Sequence, residues 1–325
     1  MKIVIAYNVE MTEEPIALMR DLAQVVFPRD GTEEALLAEV RDADGLVVGI
    51  NPPAGRRLIE SAPRLKHIAR MGVGVDSVDL KAATEHGVMV TNVPDVTIDT
   101  VAEFTLTLLL SLARNIPRCD NAVRMGRWHE RLDLILANRE LIGKTHGIVG
   151  LGRIGSRVAA RCRAFGMRVL YYRRNRNPDL ERSLGVEYRP LDVLFRECDT
   201  LSVHTPFTEE TRNLVDWPQF EAMKRTALLV NQSRGKVVNE KALVRALREG
   251  LIGGYATDVY ETEPPDPASE LFQFKNVVVT PHLAGGTRES SLRAGLTIAE
   301  DALRILRGER PKNLVNREVL EGRVS

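Results

Sequence analysis

Short apolar runs alternate with amphipathic stretches along the whole chain. "KIVIAY" (2–7), "GLVVGI" (45–50), "LKHIAR" (65–70) and "VMVTNV" (88–93) are short runs built around hydrophobic residues, the pattern of parallel strands buried on both faces. Between them "EPIALMRDLAQ" and "DLKAATEHG" carry apolar positions at helical spacing. A second series begins at "THGIVG" (145–150) and continues through "RVLYYR", "TLSVHT", "ALLVNQ", "GGYATDVY" and "NVVVTPH", with helices such as "KALVRALREG" between the strands. Strand and helix in alternation predict an α/β protein of two Rossmann-like, doubly wound parallel-sheet domains. The tail "TRESSLRAGLTIAEDALRILRGER" reads as a helix with no strand after it. It is expected to return to the first domain and make that domain discontinuous. The expected division is 1–98 with 287–325 for the first domain, flavodoxin-like, and 99–286 for the second, with the helix from Val101 as connector.

Composition narrows the classes without choosing among them. The chain has 325 residues, 44% hydrophobic and 27% charged, which suits globular domains with real cores. Lysine plus arginine is 45 against 44 acids, a formal charge of +1, so no global field argues for nucleic acid or a membrane surface. Cys119, Cys162 and Cys198 are far apart with no CxxC pair, as in a reducing cytoplasm, and neither a disulfide framework nor a metal site is expected. The most apolar helix, "VAEFTLTLLLSLARN", falls short of the ~20 residues that span a bilayer. A soluble, cytoplasmic protein is the expectation.

Candidate chemistry begins in "VGLGRIGSRVAARCRAFGMRVLYYRRNR" (149–176). An apolar strand enters a GxGxxG loop and a helix leaves it, the context in which that motif binds a dinucleotide. Gly150 permits the tight turn, Gly152 lets backbone approach a pyrophosphate, and Gly155 lets helix and strand close up. The amides of Arg153 and Ile154 then face the phosphates from the helix N-terminus. Past the next strand, where an acid holds the ribose 2′-hydroxyl of NAD, stand Arg173, Arg174 and Arg176. Guanidinium groups there suit the 2′-phosphate of NADP, so NADP(H) is the expected cofactor, with NAD(H) as a possible second.

Three further stretches place polar residues at the C-terminal ends of expected strands, where open α/β sheets collect ligands. They are "VNQSRGKVVNEKAL" with Arg234, "ATDVYETEPP" with Asp258 and Glu263, and "VVTPHLAGGT" with His282. Taken singly, each has a plain structural explanation in a turn, a cap or an exposed loop. Beside a nicotinamide site they form a reductase. Hydride transfer to a ketone leaves charge on oxygen, and histidine is the side chain suited to supply the proton. A carboxylate beside an imidazole favours its protonated form and fixes its ring, the part suited to Glu263. Arg234 can clamp the carboxylate of a 2-oxo acid and polarise its carbonyl.

Over nearly its whole length the chain resembles the D-isomer-specific 2-hydroxyacid dehydrogenases. The matching stretches, in order, are "RMGVGVDSVDL", "NVPDVTIDTVAEF", "GKTHGIVGLGRIG", "LSVHTPFTEETRNL", "NQSRGKVVNEKAL", "ATDVYETEPP" and "TPHLAGG". The resemblance implies catalytic Arg234, Glu263 and His282, and substrate carboxylate binding by the amides of Val73 and Gly74 together with Arg234. It implies cofactor contacts from His204, Thr205, Pro206, Thr211, Asp258, His282 and Gly285, with Thr100 and Ser233 as lesser ones. It also implies a homodimer built on the long helix and the "NAVRMGRW" segment (121–128). The arginine run resembles the NADPH-preferring glyoxylate and hydroxypyruvate reductases. Gly49, Ile50 and Asn51 stand where phosphoglycerate dehydrogenases carry an arginine and a serine, which argues against a phosphorylated substrate. Val73 stands where phosphite dehydrogenase has a lysine. The expected activity is therefore NADP(H)-dependent reduction of a glyoxylate-like or hydroxypyruvate-like 2-oxo acid. The alternatives are an NAD-dependent D-3-phosphoglycerate dehydrogenase-like enzyme and, from another class, a dinucleotide-sensing corepressor-like binding protein.

Overall fold

The protein is described by a computed structural model covering residues 1–7 and 9–323. Two compact units emerge, one of Met1–Thr97 with the chain from Gly285 onward, the other of Ile98–Ala284.

In the first unit the strands are β1 (Lys2–Ile5), β2 (Gln24–Val26), β3 (Gly45–Val48), β4 (His67–Arg70) and β5 (Met89–Thr91). They are parallel, in the order β2-β1-β3-β4-β5, which is the flavodoxin-like arrangement. Helices α1 (Glu13–Arg20), α2 (Glu33–Val40), α3 (Arg56–Glu60) and α4 (Leu80–Glu85) provide the crossovers. Alternation along each strand sends residues to two faces. Val4, Leu46, Val48, Ile68 and Val90 enter one core, and Ile3, Ile5, Val47 and Ala69 the other.

The second unit begins with α5 (Ile98–Ala113), followed by α6 (Ile116–Arg124) and α7 (Arg131–Ala137). Its strands are β6 (Thr145–Val149), β7 (Arg168–Tyr172), β8 (Glu187–Tyr188), β9 (Thr200–Val203), β10 (Leu228–Asn231), β11 (Gly254–Thr257) and β12 (Val277–Val279). Between them run α8 (Arg153–Ala164), α9 (Pro178–Leu184), α10 (Leu191–Glu197), α11 (Trp217–Ala222) and α12 (Glu240–Arg248). The parallel order β12-β11-β10-β9-β6-β7-β8 reverses direction at β6, so the loops after β6 and β9 flank the switch point where such sheets bind ligands. Ile148, Val169, Tyr171 and Val230 face the core shared with α5 and α8, while Val149, Leu170, Leu201 and Leu229 face the opposite one.

The tail helix α13 (Arg288–Leu306) packs on α1 and beneath β4 in the first unit. Ala294, Ile298, Ala299 and Ala302 recur at helical spacing and join Ile5, Ile16 and Met19 in one core. The seam between the units falls at 97/98 and 284/285, just ahead of the boundaries expected from the sequence, and Gly285 consequently lies in the first unit, against Thr97. Strands β2 and β8 are additions to the sequence expectation. Both are short, half-exposed edge strands without an apolar run to mark them.

Candidate active site

The glycine loop is shaped by what a side chain there would strike. Gly150 has φ +101, and a Cβ on it would lie 2.8 Å from the His204 carbonyl oxygen. A Cβ on Gly155 would lie 2.3 Å from the Gly150 carbonyl oxygen, so the start of α8 can seat only with glycine there. Around Gly152 nothing stands within 4 Å. That open backbone lies at the N-cap of α8, whose first-turn amides have no intrahelical acceptor. The Thr205 hydroxyl beside the loop is buried and makes no hydrogen bond among the described residues. A tight turn, an open approach, helix amides and an unused hydroxyl together suit the pyrophosphate of a dinucleotide.

The arginine run is not uniform. Arg176 is committed to Glu181 by paired contacts of 2.7 and 2.9 Å and stacks over the Tyr188 ring at 5.5 Å. That guanidinium, ahead of every other influence, holds the Glu181 carboxyl down at about 2. Arg174 pairs with Glu210, both side chains being exposed. Arg173 is exposed at the end of β7 and makes no hydrogen bond or ion pair among the described residues. Of the three, Arg173 and Arg174 can serve an incoming anion, and Arg176 belongs to the fold.

Beyond β9, His204 and Thr205 border Gly150, and Pro206 follows them. Thr211 closes the turn that follows, its hydroxyl donating to the Pro206 carbonyl at 2.8 Å and accepting from the Thr208 amide at 2.7 Å. Beyond β10 the turn bearing Arg234 is organised by Asn231, a residue without an assigned role in the sequence reading. Its Oδ1 accepts from the Ser233 amide and hydroxyl at 3.1 and 2.9 Å, and its Nδ2 donates to the Arg234 carbonyl at 3.0 Å. The Ser233 hydroxyl is thereby occupied within its own turn. Thr100 is buried on α5. A Cβ on Gly235 would fall 1.9 Å from the Tyr260 carbonyl carbon, so the loop carrying Arg234 and the loop carrying Glu263 press together there.

Glu263 and His282 meet directly. Glu263 Oε2 lies 2.6 Å from His282 Nδ1, and Oε1 accepts from the Tyr260 amide at 3.0 Å. Burial works to raise the Glu263 pKa. The hydrogen bonds from His282 and the Tyr260 amide, with the charges of His282 and Arg234, outweigh it, and the net shift is downward. The structure thus brings Arg234, Glu263 and His282 into one electrostatic neighbourhood, with Nδ1 of the ring held and Nε2 left for chemistry.

His282 has φ +52, an uncommon conformation for a side chain of its size. Asp258 holds it there. This buried carboxylate accepts from the Thr280 hydroxyl at 2.6 Å, the Leu283 amide at 3.0 Å and the Ala284 amide at 2.7 Å. Tyr260 adds a hydrogen bond from its hydroxyl to the Thr280 carbonyl at 2.9 Å. The resemblance implied a cofactor contact for Asp258; in the structure both of its oxygens accept hydrogen bonds from the histidine loop.

Val73 and Gly74 lie in the first unit, in the loop after β4. The Val73 carbonyl accepts from Asn92 Nδ2 at 2.7 Å, and the Gly72 carbonyl from the Val93 amide at 3.1 Å. Among the described residues no group of three or more His, Cys, Asp or Glu is arranged to hold a metal ion, and no helix is long and apolar enough to cross a membrane.

Comparison with known proteins places these features. Residues 106–284 match the family model described as D-isomer specific 2-hydroxyacid dehydrogenase, NAD binding domain. The chain is 46% identical over 294 residues to a glyoxylate reductase of Aeropyrum pernix, covering 89% of this chain and 88% of that protein. It is 42% identical over 321 residues to a glyoxylate reductase of Thermococcus kodakarensis, covering 96% and 95%. Among solved structures it superposes with a TM-score of 0.83 on the NADPH-dependent glyoxylate/hydroxypyruvate reductase of Sinorhizobium meliloti, in complex with NADP and malonate. The identity there is 30%, covering 98% of this chain and 97% of that one.

Proposed function

The chain belongs to the D-isomer-specific 2-hydroxyacid dehydrogenase family, and from that premise we propose that it reduces small 2-oxo acids of the glyoxylate and hydroxypyruvate type, with NADP(H) preferred over NAD(H). The observation that carries the reading is the 2.6 Å contact of Glu263 with His282, in one unit with the glycine loop. The reduced nicotinamide, when bound, supplies hydride to the carbonyl carbon. His282 Nε2 gives the proton to the carbonyl oxygen as charge develops on it. Glu263 holds Nδ1, fixes the ring and stabilises the imidazolium before the proton leaves. Arg234 pairs with the substrate carboxylate and polarises the carbonyl. The backbone around Gly150, Gly152 and Gly155, the first turn of α8 and the Thr205 hydroxyl would hold the dinucleotide. Arg173, with Arg174 released from Glu210, would meet the 2′-phosphate.

The exposed apolar side chains Val123, Met125, Trp128, Leu132 and Leu136, all on or between α6 and α7, support a homodimer formed through that segment. Light scattering on the purified protein checks it, and a monomer at micromolar concentration refutes it. The activity itself is tested by steady-state reduction of glyoxylate, hydroxypyruvate and larger 2-oxo acids with each cofactor. A tenfold advantage for NADH in kcat/KM, about 1.4 kcal/mol, would overturn the cofactor preference. Tight dinucleotide binding without turnover of any 2-oxo acid would overturn the enzymatic reading.

A further inference from the structure

Two rings in the second unit, His146 buried and His204 half-buried, form a chain that the chemistry above does not use. His146 sits in β6 with no solvent exposure. Its Nδ1 lies 2.7 Å from the Thr200 hydroxyl and its Nε2 lies 2.9 Å from the Ser202 hydroxyl, both on β9. The same Ser202 oxygen lies 2.9 Å from Nε2 of His204. Four polar groups thus run in line through a sheet that is otherwise apolar here, and the line ends on a residue whose carbonyl borders Gly150. Among the described residues Nδ1 of His204 makes no hydrogen bond within the protein.

Proton counting fixes the sense of the chain. Burial drives the pKa of His146 down to about 3 and that of His204 to about 4, so each ring is neutral and carries one N–H. The Thr200 and Ser202 hydroxyls each bring one proton, and the hydrogen bonds above are the ones open to them. If His204 Nε2 carried the proton and donated to Ser202, one hydroxyl proton would be left buried without an acceptor, that of Ser202 or that of Thr200. One arrangement satisfies both hydroxyl protons and the N–H of the buried His146. Thr200 donates to His146 Nδ1, His146 Nε2–H donates to Ser202, and Ser202 donates to His204 Nε2. The His204 proton must then be on Nδ1. An unsatisfied buried donor is costly, so this order is the stable one.

We propose that the Thr200–His146–Ser202 chain fixes His204 as its Nδ1–H tautomer, so that His204 presents a single N–H donor to an acceptor oxygen of the bound dinucleotide, a ribose hydroxyl or a phosphate. His146 and Ser202 act through His204 and are positioning residues. The inference rests on the reading that this unit binds a nicotinamide dinucleotide.

The test uses the full-length protein with ¹⁵N-labelled imidazoles, which report tautomers directly in long-range ¹H–¹⁵N spectra; a His204→Asn sample assigns the signal. Cofactor dissociation constants are measured alongside by fluorescence titration. The parent should show His204 as Nδ1–H, free and with cofactor. Ser202→Ala should shift it toward Nε2–H and weaken binding of NADPH and NADH alike by roughly fivefold, the scale of one neutral hydrogen bond. Ser202→Thr, which keeps the hydroxyl, should restore both. A parent spectrum with His204 as Nε2–H or doubly protonated overturns the proposal without any variant. So does an unchanged tautomer and affinity in Ser202→Ala. A parent protein with the expected tautomer that binds neither dinucleotide would instead refute the cofactor reading, and with it the donor role, while leaving the chain itself standing.

Discussion

Replacing Asp258 by asparagine isolates the device that holds the catalytic ring. The parent carboxylate accepts three hydrogen bonds from the segment Thr280–Ala284, at 2.6, 3.0 and 2.7 Å. Asparagine has the same shape, and its oxygen can still serve Thr280 and Leu283. Its amide nitrogen must then face the Ala284 N–H, donor against donor. A buried donor deprived of its acceptor costs about 1–3 kcal/mol, and Asp258 is 1% exposed, so water cannot compensate. The clamped segment contains His282 at φ +52, a conformation that costs a non-glycine residue about 1–3 kcal/mol and persists only when its surroundings impose it. Weakening the clamp lets that backbone relax and carries the ring off Glu263. The expected destabilisation is about 2 kcal/mol, a fall of roughly 4–8 °C in Tm for a domain of this size. A misplacement of about 1 Å is enough to lower kcat by roughly a hundredfold. Differential scanning calorimetry and steady-state 2-oxo acid reduction read the two effects. If Tm and kcat both stay at parent values, Asp258 does not hold the histidine loop and the reasoning fails.

Three other outcomes are expected. Arg173→Ala should weaken NADPH binding by about 10- to 100-fold, the range of a charge-assisted pair, with NADH unaffected, whereas Arg176→Ala should lower thermal stability and leave the cofactor ratio alone; equal losses of preference in both would refute the division of the run. His67, His146 and His204 have pKa values pushed by burial to about 3, 3 and 4, below the 6.5 of the unfolded chain. The unfolded state therefore takes up more protons below pH 6.5, and stability present at neutral pH is lost as the pH falls, by about 2 kcal/mol per ring at pH 5. Urea midpoints at pH 7.5 and 5 measure it, and a flat profile contradicts it. Gly235→Ala, whose new methyl would overlap the Tyr260 backbone, should lower Tm by several degrees, while Gly152→Ala, with open space around it, should leave Tm alone and weaken dinucleotide binding. The reverse pattern in calorimetry and titration would mean that the two loops are seated differently.

The strands of both sheets were legible because parallel strands buried on two faces cannot avoid reading as apolar runs, as "GIVG" and "LLVN" do. Gln24–Val26 and Glu187–Tyr188 escaped because an edge strand needs only one apolar side. Helix α5 begins at Ile98 rather than near Val101, its first turn carrying the polar Asp99 and Thr100, which helical periodicity of apolar residues does not register. Glu263 and His282 are nineteen positions apart, and no local period links them; family resemblance suggested a partnership that spacing could not. The tasks of Asp258 and Asn231 depend on where two loops arrive, which is settled by the sheet and not by neighbours in sequence. His146 left a trace: a polar residue inside an apolar strand, beside another such strand containing Ser202, signals a buried partnership.

The placement of α13 has a consequence for synthesis on the ribosome. Residues 98–284 form a continuous stretch, so every strand of that unit has been translated before Arg288 is added. The N-terminal unit, although begun first, stays unfinished until Leu306 has emerged, because Ile5, Ile16 and Met19 share a core with side chains of that late helix. The nascent polypeptide thus carries an uncovered greasy surface while the second unit is being made, and of the two units the one started earlier is completed later.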